Sequence, residues 1–180
     1  MGSIPTDPMR GFGELAAAPR SVSAFCIDIY EFPNERGKMP MANVTWVRAK
    51  RACEQRGKRL CTEAEWEWAC KGGSAAAFPY GNRYESGMCN LSEETGELKK
   101  PVEAGAFGRC RSAFGTVDMA GNVAEWTSSQ WTRDIQDKVV KGGSADQGPF
   151  TGRCASRGNE AAGNKWPRLG FRCCADIRLP

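Results

Sequence analysis

The chain contains no histidine. That absence removes the usual general base near neutral pH, the serine–histidine nucleophile systems and the two-histidine iron sites, so covalent or redox chemistry would have to run through cysteine or a bound metal. No run of five or six like charges occurs, and 25 basic against 21 acidic residues leave a net charge of only +4. So small a balance gives no electrostatic footprint for nucleic acid, and none is expected as a partner. The sequence also lacks an apolar stretch long enough to cross a bilayer, so no membrane span is expected. Internal repeats and low-complexity tracts are absent as well.

Cysteine, by contrast, is abundant. Nine cysteines lie dispersed through 180 residues, and Cys173 and Cys174 are the only close pair. Zinc draws its ligands from close pairs such as C-x-x-C, so disulfides are the better reading. Disulfides imply an oxidising compartment, and the protein is expected to be periplasmic, cell-surface or secreted. A chain of this length suits one domain able to bury its own core.

Residues 1–24, rich in Pro, Gly and Ala without a sustained period, read as a flexible N-terminal arm ahead of a single domain over residues 25–180. Phe25, Ile27 and Ile29 alternate on one face and predict a half-buried strand. Thr45 is a helix N-cap that places Trp46, Ala49, Ala52 and Cys53 on one stripe before Gly57 stops the helix. Thr62 and Glu65 form a capping box for a second helix, with Trp66, Ala69 and Cys70 facing inward and Gly72-Gly73 as its end. The carboxylates of Glu63, Glu65 and Glu67 are expected to favour the positive helix start or to face solvent. From Ser74 to Ala113 the period is lost, and a loop that long needs a staple, a metal or a function. Lys138-Val139-Val140-Lys141 reads as a short strand ended by Gly142-Gly143. The polar, glycine-rich stretch that follows is either an exposed ligand-facing surface, with Trp166 as a platform, or a cover over a buried Trp166.

Between these parts lies Phe114-Gly115-Thr116-Val117-Asp118-Met119-Ala120-Gly121-Asn122-Val123-Ala124-Glu125-Trp126. Asp118, Asn122 and Glu125 around a central glycine favour a tight loop of inward carbonyls suited to a hard cation such as calcium. A plain turn, with Glu125 in water, is the alternative reading.

This stretch occurs in order with Gly57-Lys58-Arg59-Leu60-Cys61-Thr62-Glu63-Ala64-Glu65-Trp66, Phe78-Pro79-Tyr80-Gly81, Lys141-Gly142-Gly143-Ser144, Arg153-Cys154-Ala155-Ser156-Arg157 and Leu169-Gly170-Phe171-Arg172-Cys173. Together they resemble the formylglycine-generating enzyme family, also called the sulfatase-modifying factor domain. The resemblance implies an α+β variant of the C-type-lectin fold, low in regular secondary structure, with two short helices, short antiparallel strands and structural calcium. It implies calcium ligands at Asp118, Gly121, Val123 and Glu125, with a second site falling near Asn90, the Leu91 carbonyl, Glu93 and Glu94. It implies disulfides Cys53–Cys173 and Cys70–Cys154; apart from the resemblance, Cys89–Cys110 could supply the staple that the long loop needs. Cys26, Cys61 and Cys174 then leave at least one thiol free or bonded between molecules.

The family's enzymes oxidise a cysteine of a client sulfatase to formylglycine, with copper held by two cysteines just after the K-G-G-S motif. The corresponding residues 145–153 contain no cysteine. Because cuprous ion needs thiolate, copper is not expected. The favoured reading is a non-catalytic module that binds a protein, small-molecule or carbohydrate ligand through residues 144–168, above all Asp146, Gln147, Phe150, Arg157, Asn159, Asn164 and Trp166. Two alternatives are an enzyme of rearranged cysteines using Cys173 and Cys174, and a sequence-diversified lectin-like receptor.

Overall fold

The computed structural model describes residues 1–3, 7, 10, 13–93 and 98–177. In chain order its elements are β1 (Phe25–Ile27), α1 (Trp46–Glu54), β2 (Arg59–Leu60), α2 (Glu63–Lys71), β3 (Ala124–Gln130), β4 (Lys138–Lys141), β5 (Gly158–Glu160), β6 (Leu169–Phe171) and β7 (Cys173–Asp176). They form an antiparallel sheet β1-β7-β2 and a second sheet β5-β4-β3-β6, in which β3 and β6 run parallel and the other neighbours antiparallel. The class is α+β, with two short helices and little regular structure. A single residue, Arg172, separates β6 from β7, so its side chain enters where the two sheets meet.

The strand that begins at Phe25 stops at Ile27, short of the expected Ile29. Asp28 turns inward, its carboxylate accepting the Cys173 N–H and pairing with Lys58, while Ile29 is left exposed. Both helices start as their caps dictate. Thr45 Oγ1 accepts the Arg48 N–H, and the reciprocal bonds of Thr62 and Glu65 complete the capping box. Gly72 ends α2 at φ 59°, a left-handed conformation that glycine adopts without steric cost. Trp66, Ala69 and Cys70 are buried as their spacing requires.

Two expectations change. Glu63 and Glu65 stand in the first turn of α2, as one branch of the expectation had it, but none of Glu63, Glu65 and Glu67 faces solvent; all three are buried. Each has a cationic partner that makes this tolerable: Arg157 for Glu63, Arg59 for Glu65, and Lys71 with Lys141 for Glu67. The described residues of the 1–24 arm are likewise not free of the domain. The Gly2 N–H donates to Glu67 at 2.6 Å, Lys71 donates to the Gly2 carbonyl, and the buried guanidinium of Arg153 pairs with Asp7 and Glu14. Buried cations on the domain thus hold the arm, because leaving them without partners would cost more than ordering it.

Four disulfides tie the elements together: Cys53–Cys173, Cys61–Cys174, Cys70–Cys154 and Cys89–Cys110. The main core packs α1 under β3 and β6 through Ala49, Cys53, Trp126, Leu169 and Phe171. A second cluster joins Trp66 and Cys70 of α2 to Met119 and Cys154. In the long loop, Cys89–Cys110 forms a third small core with Leu91 and Ala120, which is the staple that stretch requires.

Candidate functional site

The 114–126 stretch is held from inside. Gly121 lies at φ 80°, and a Cβ there would stand 2.1 Å from the Asn90 carbonyl oxygen, so only glycine fits. Asn122, at φ 56°, stitches the loop through its side-chain amide. Its Nδ2 donates to Glu31 and to the Val102 carbonyl, while its Oδ1 accepts from Asn90 Nδ2 and the Val102 N–H. Glu31 is fully buried and also accepts the Val123 N–H. Arg172, equally buried, donates from Nε and Nη2 to Glu125 and from Nη1 and Nη2 to the carbonyls of Asp28, Ile29 and Val117. Three carboxylates therefore share one guanidinium. Burial, reinforced by Asp118 and Glu125, raises Glu31 well above the usual carboxylate range. Burial likewise pushes Asp118 up to about 6, against the opposing pull of the Gly105 N–H and Arg172.

The side chains among the predicted calcium ligands have protein partners in this arrangement. Glu125 is not in water; it is buried, and its two oxygens share the Arg172 Nε–H and accept further bonds from Arg172 Nη2 and from Trp66 Nε1 at 2.7 Å. Three N–H groups thus take most of the roughly four lone-pair sites of the carboxylate, and Arg172 already supplies it with a positive charge. Asp118 accepts from the Gly105 N–H at 2.6 Å, and the atoms expected of Gly121 and Val123 are their main-chain carbonyls. At the second expected site, Asn90 Nδ2 donates to Asn122 and the Lys100 carbonyl, Leu91 is core, and Glu93 bonds Ser86. Glu94 lies outside the described residues. No three His, Cys, Asp or Glu side chains gather at metal-ligating distance among the described residues.

Across β4 from this charge cluster lies a pocket of about 250 Å³. Val140 and the Gly142-Gly143 turn form its floor, Gln147 and Thr151 one side, and β5 with Trp166 the other. It thus occupies the segment directly after Lys141-Gly142-Gly143-Ser144. Gln147 is fixed by accepting the Ser144 N–H, Arg157 by Glu63, and Glu160 by the indole N–H of Trp166 at 3.0 Å. Arg157 also lies over the Trp131 ring. Of the expected binding residues, Gln147, Arg157, Asn159 and Trp166 line this pocket together. Trp166 is half-buried, so its two alternative roles merge into one. Asp146, Phe150 and Asn164 are not among the pocket's lining residues: Asp146 pairs with Arg168 and Ser144, Phe150 is exposed, and Asn164 bonds Glu160.

Glu160, Thr151 and Ser156 line the pocket without having been singled out in the sequence. Nor did the sequence mark the buried charges behind it. Lys141 points to the far side of β4 from the pocket floor, fully buried near Glu67 and Glu63, with burial pulling its pKa down against those two acids. The K-G-G motif itself was the available signal, since a charged residue at the end of an otherwise apolar strand has to be paired.

The cysteines settle what metal chemistry the pocket could do. No sulfur lines it. Cys174, the residue on which the rearranged-enzyme reading depended, is bonded to Cys61, and Cys173 to Cys53. Cys26 is the free thiol, exposed on β1 in the other sheet. A sulfur in a disulfide is not a thiolate, so the donor set does not fit a cuprous ion.

Residues 12–177 match the family described as Sulfatase-modifying factor enzyme 1-like domain. The chain is 32% identical over 160 residues to the Bos taurus protein named inactive C-alpha-formylglycine-generating enzyme 2, covering 81% of this chain and 53% of that protein. It is also 32% identical over 172 residues to the Mus musculus formylglycine-generating enzyme, covering 78% and 45%. It therefore spans about half the length of the curated relatives it matches. Among solved structures, PvdO from Pseudomonas aeruginosa superposes with a TM-score of 0.81 at 20% identity, over 98% of this chain and 90% of that one. At that identity the likeness is one of fold.

Proposed function

Because this chain belongs to the family of sulfatase-modifying factor enzyme 1-like domains, we propose that it is a non-catalytic binding module on that scaffold, taking its ligand in the pocket between the Gly142-Gly143 turn, β5 and Trp166. The observation that carries this reading is the chemistry of the pocket wall. It offers amides, hydroxyls, a paired guanidinium and an indole, while eight of the nine cysteines are spent in disulfides. Convergent polar groups fixed by their neighbours favour binding over oxidation. A relative named as inactive accords with a scaffold that outlives its chemistry. The four disulfides fit a periplasmic, cell-surface or secreted protein.

Copper uptake tests the absence of a thiolate site. In a competition between the purified protein and a cuprous chelator, retained copper should be lost on Cys26→Ser substitution, because that residue is the only free thiol. Retention by the Cys26→Ser protein would contradict the reading.

In the same reading the organising loop is held by Arg172 rather than by calcium. Chelation is then expected to leave the melting temperature unchanged. A site filled at a hundred times its dissociation constant would instead lose about 2.7 kcal/mol on chelation. A clear fall in melting temperature, removed by Glu125→Gln, would restore calcium to the loop.

A further inference from the structure

We propose that the ligand of this pocket is a neutral sugar ring. The inference rests on the binding-module reading above and specifies the chemistry of what is bound. Several polar atoms of the lining have no partner among the described residues: Gln147 Nε2, Arg157 Nη1, the Ser156 hydroxyl and Asn159 Oδ1. Their residues are nonetheless fixed. Gln147 Oε1 accepts the Ser144 N–H, Arg157 Nε and Nη2 hold Glu63, and Asn159 Nδ2 donates to Asp137. The free groups are thus preorganised, and donors and acceptors are mixed.

That mixture selects the ligand. A carboxylate or phosphate offers acceptors only and would meet the Glu160 carboxylate. Glu160 is satisfied by three N–H donors, from Trp166, Asn164 and Ala161, and makes no ion pair with a described cation. An ammonium offers donors only and would leave the Gln147 and Arg157 N–H groups unanswered. A hydroxyl donates once and accepts twice, so neighbouring hydroxyls on a ring can answer all of these groups. The positive charge of Arg157 is already matched by Glu63, which removes the demand for an anion. Trp166 supplies the apolar wall against which the C–H face of a ring can lie. At about 250 Å³ the space is smaller than the roughly 300–1,000 Å³ of drug-sized ligand sites, so it suits one ring.

The test is saturation-transfer NMR and calorimetry on the full chain, in chelator, with glucose, galactose, mannose and N-acetylglucosamine as separate probes. At least one should bind saturably. Ser156→Ala removes a hydroxyl that has no internal partner, and Gln147→Glu keeps the acceptor for Ser144 while removing the free donor, so both variants should fold. Each should weaken binding about tenfold, as the loss of one well-placed hydrogen bond does. Trp166→Ala should abolish it. Saturable binding that both polar variants leave intact would overturn the proposal, as would no binding of any sugar. A sulfatase-derived cysteine peptide serves as the separating arm. If it binds unchanged while no sugar does, the sugar is wrong and the module stands; if it is converted to aldehyde, the module reading itself fails.

Discussion

Replacing Arg172 by methionine is expected to destabilise the protein by about 3–5 kcal/mol, the range seen when one partner of a buried ion pair is removed. The size follows from what the guanidinium leaves behind. Glu125 would lose two N–H donors, one shared by both its oxygens, the carbonyls of Asp28, Ile29 and Val117 would lose theirs, and Glu31 and Asp118 would lose a buried cation close by. Arg172→Lys should recover little, because an ammonium cannot reproduce a planar fork that reaches a carboxylate and three carbonyls together. Pairing Arg172→Met with Glu125→Leu should return part of the loss, since removing both charges is milder than stranding one. Urea unfolding of the three variants gives the comparison. A loss below about 1 kcal/mol for Arg172→Met would mean that the cluster is solvated or neutral and that the loop is held by something else.

The second large effect concerns the disulfides. Cys53 and Cys173 lie 120 residues apart and both are fully buried in the main core, whereas Cys89 and Cys110 lie 21 apart. In the chain-entropy account, removing the first together with Cys61–Cys174, which closes nearly the same loop, should cost about 4 kcal/mol or more and removing Cys89–Cys110 about 3, less any strain in the native bonds. Cys53→Ala, Cys61→Ala, Cys173→Ala and Cys174→Ala together should therefore lower the melting temperature more than Cys89→Ala with Cys110→Ala. The reverse order would show that the long loop depends on its staple more than the sheets depend on theirs.

Local signals in the sequence carried much of this fold. Thr62, Glu65 and Gly72 bound α2 because caps act within one turn, and the Trp66–Ala69–Cys70 stripe needs only helical spacing. The pocket was legible in part for a similar reason. Residues 144–168 stood out as a polar, glycine-rich stretch between fixed strands, and four of the residues named there meet in one cavity. What was not legible depends on partners distant in sequence. Glu125 reads as a calcium ligand, and nothing near it in the chain signals that Arg172, 47 residues on, bonds its oxygens. Glu63 reads as a helix-start charge until Arg157, 94 residues on, buries it, and the arm reads as flexible until Arg153 draws in Glu14. The same holds for Cys61 and Cys174, whose pairing depends on β7 lying beside β2. Charge pairing and disulfide connectivity are set by tertiary proximity, which composition and periodicity do not encode.

The central claim is that the scaffold binds without oxidising, and one measurement addresses it directly. The purified protein is incubated with cuprous ion, oxygen, reductant and a sulfatase-derived cysteine peptide, and the peptide is followed by mass spectrometry. The account predicts no aldehyde above the protein-free control, since Cys26 is the only free thiol and lies on β1, in the sheet away from the pocket. Conversion of that cysteine to the aldehyde, catalytic in protein and absent from a boiled control, would contradict it.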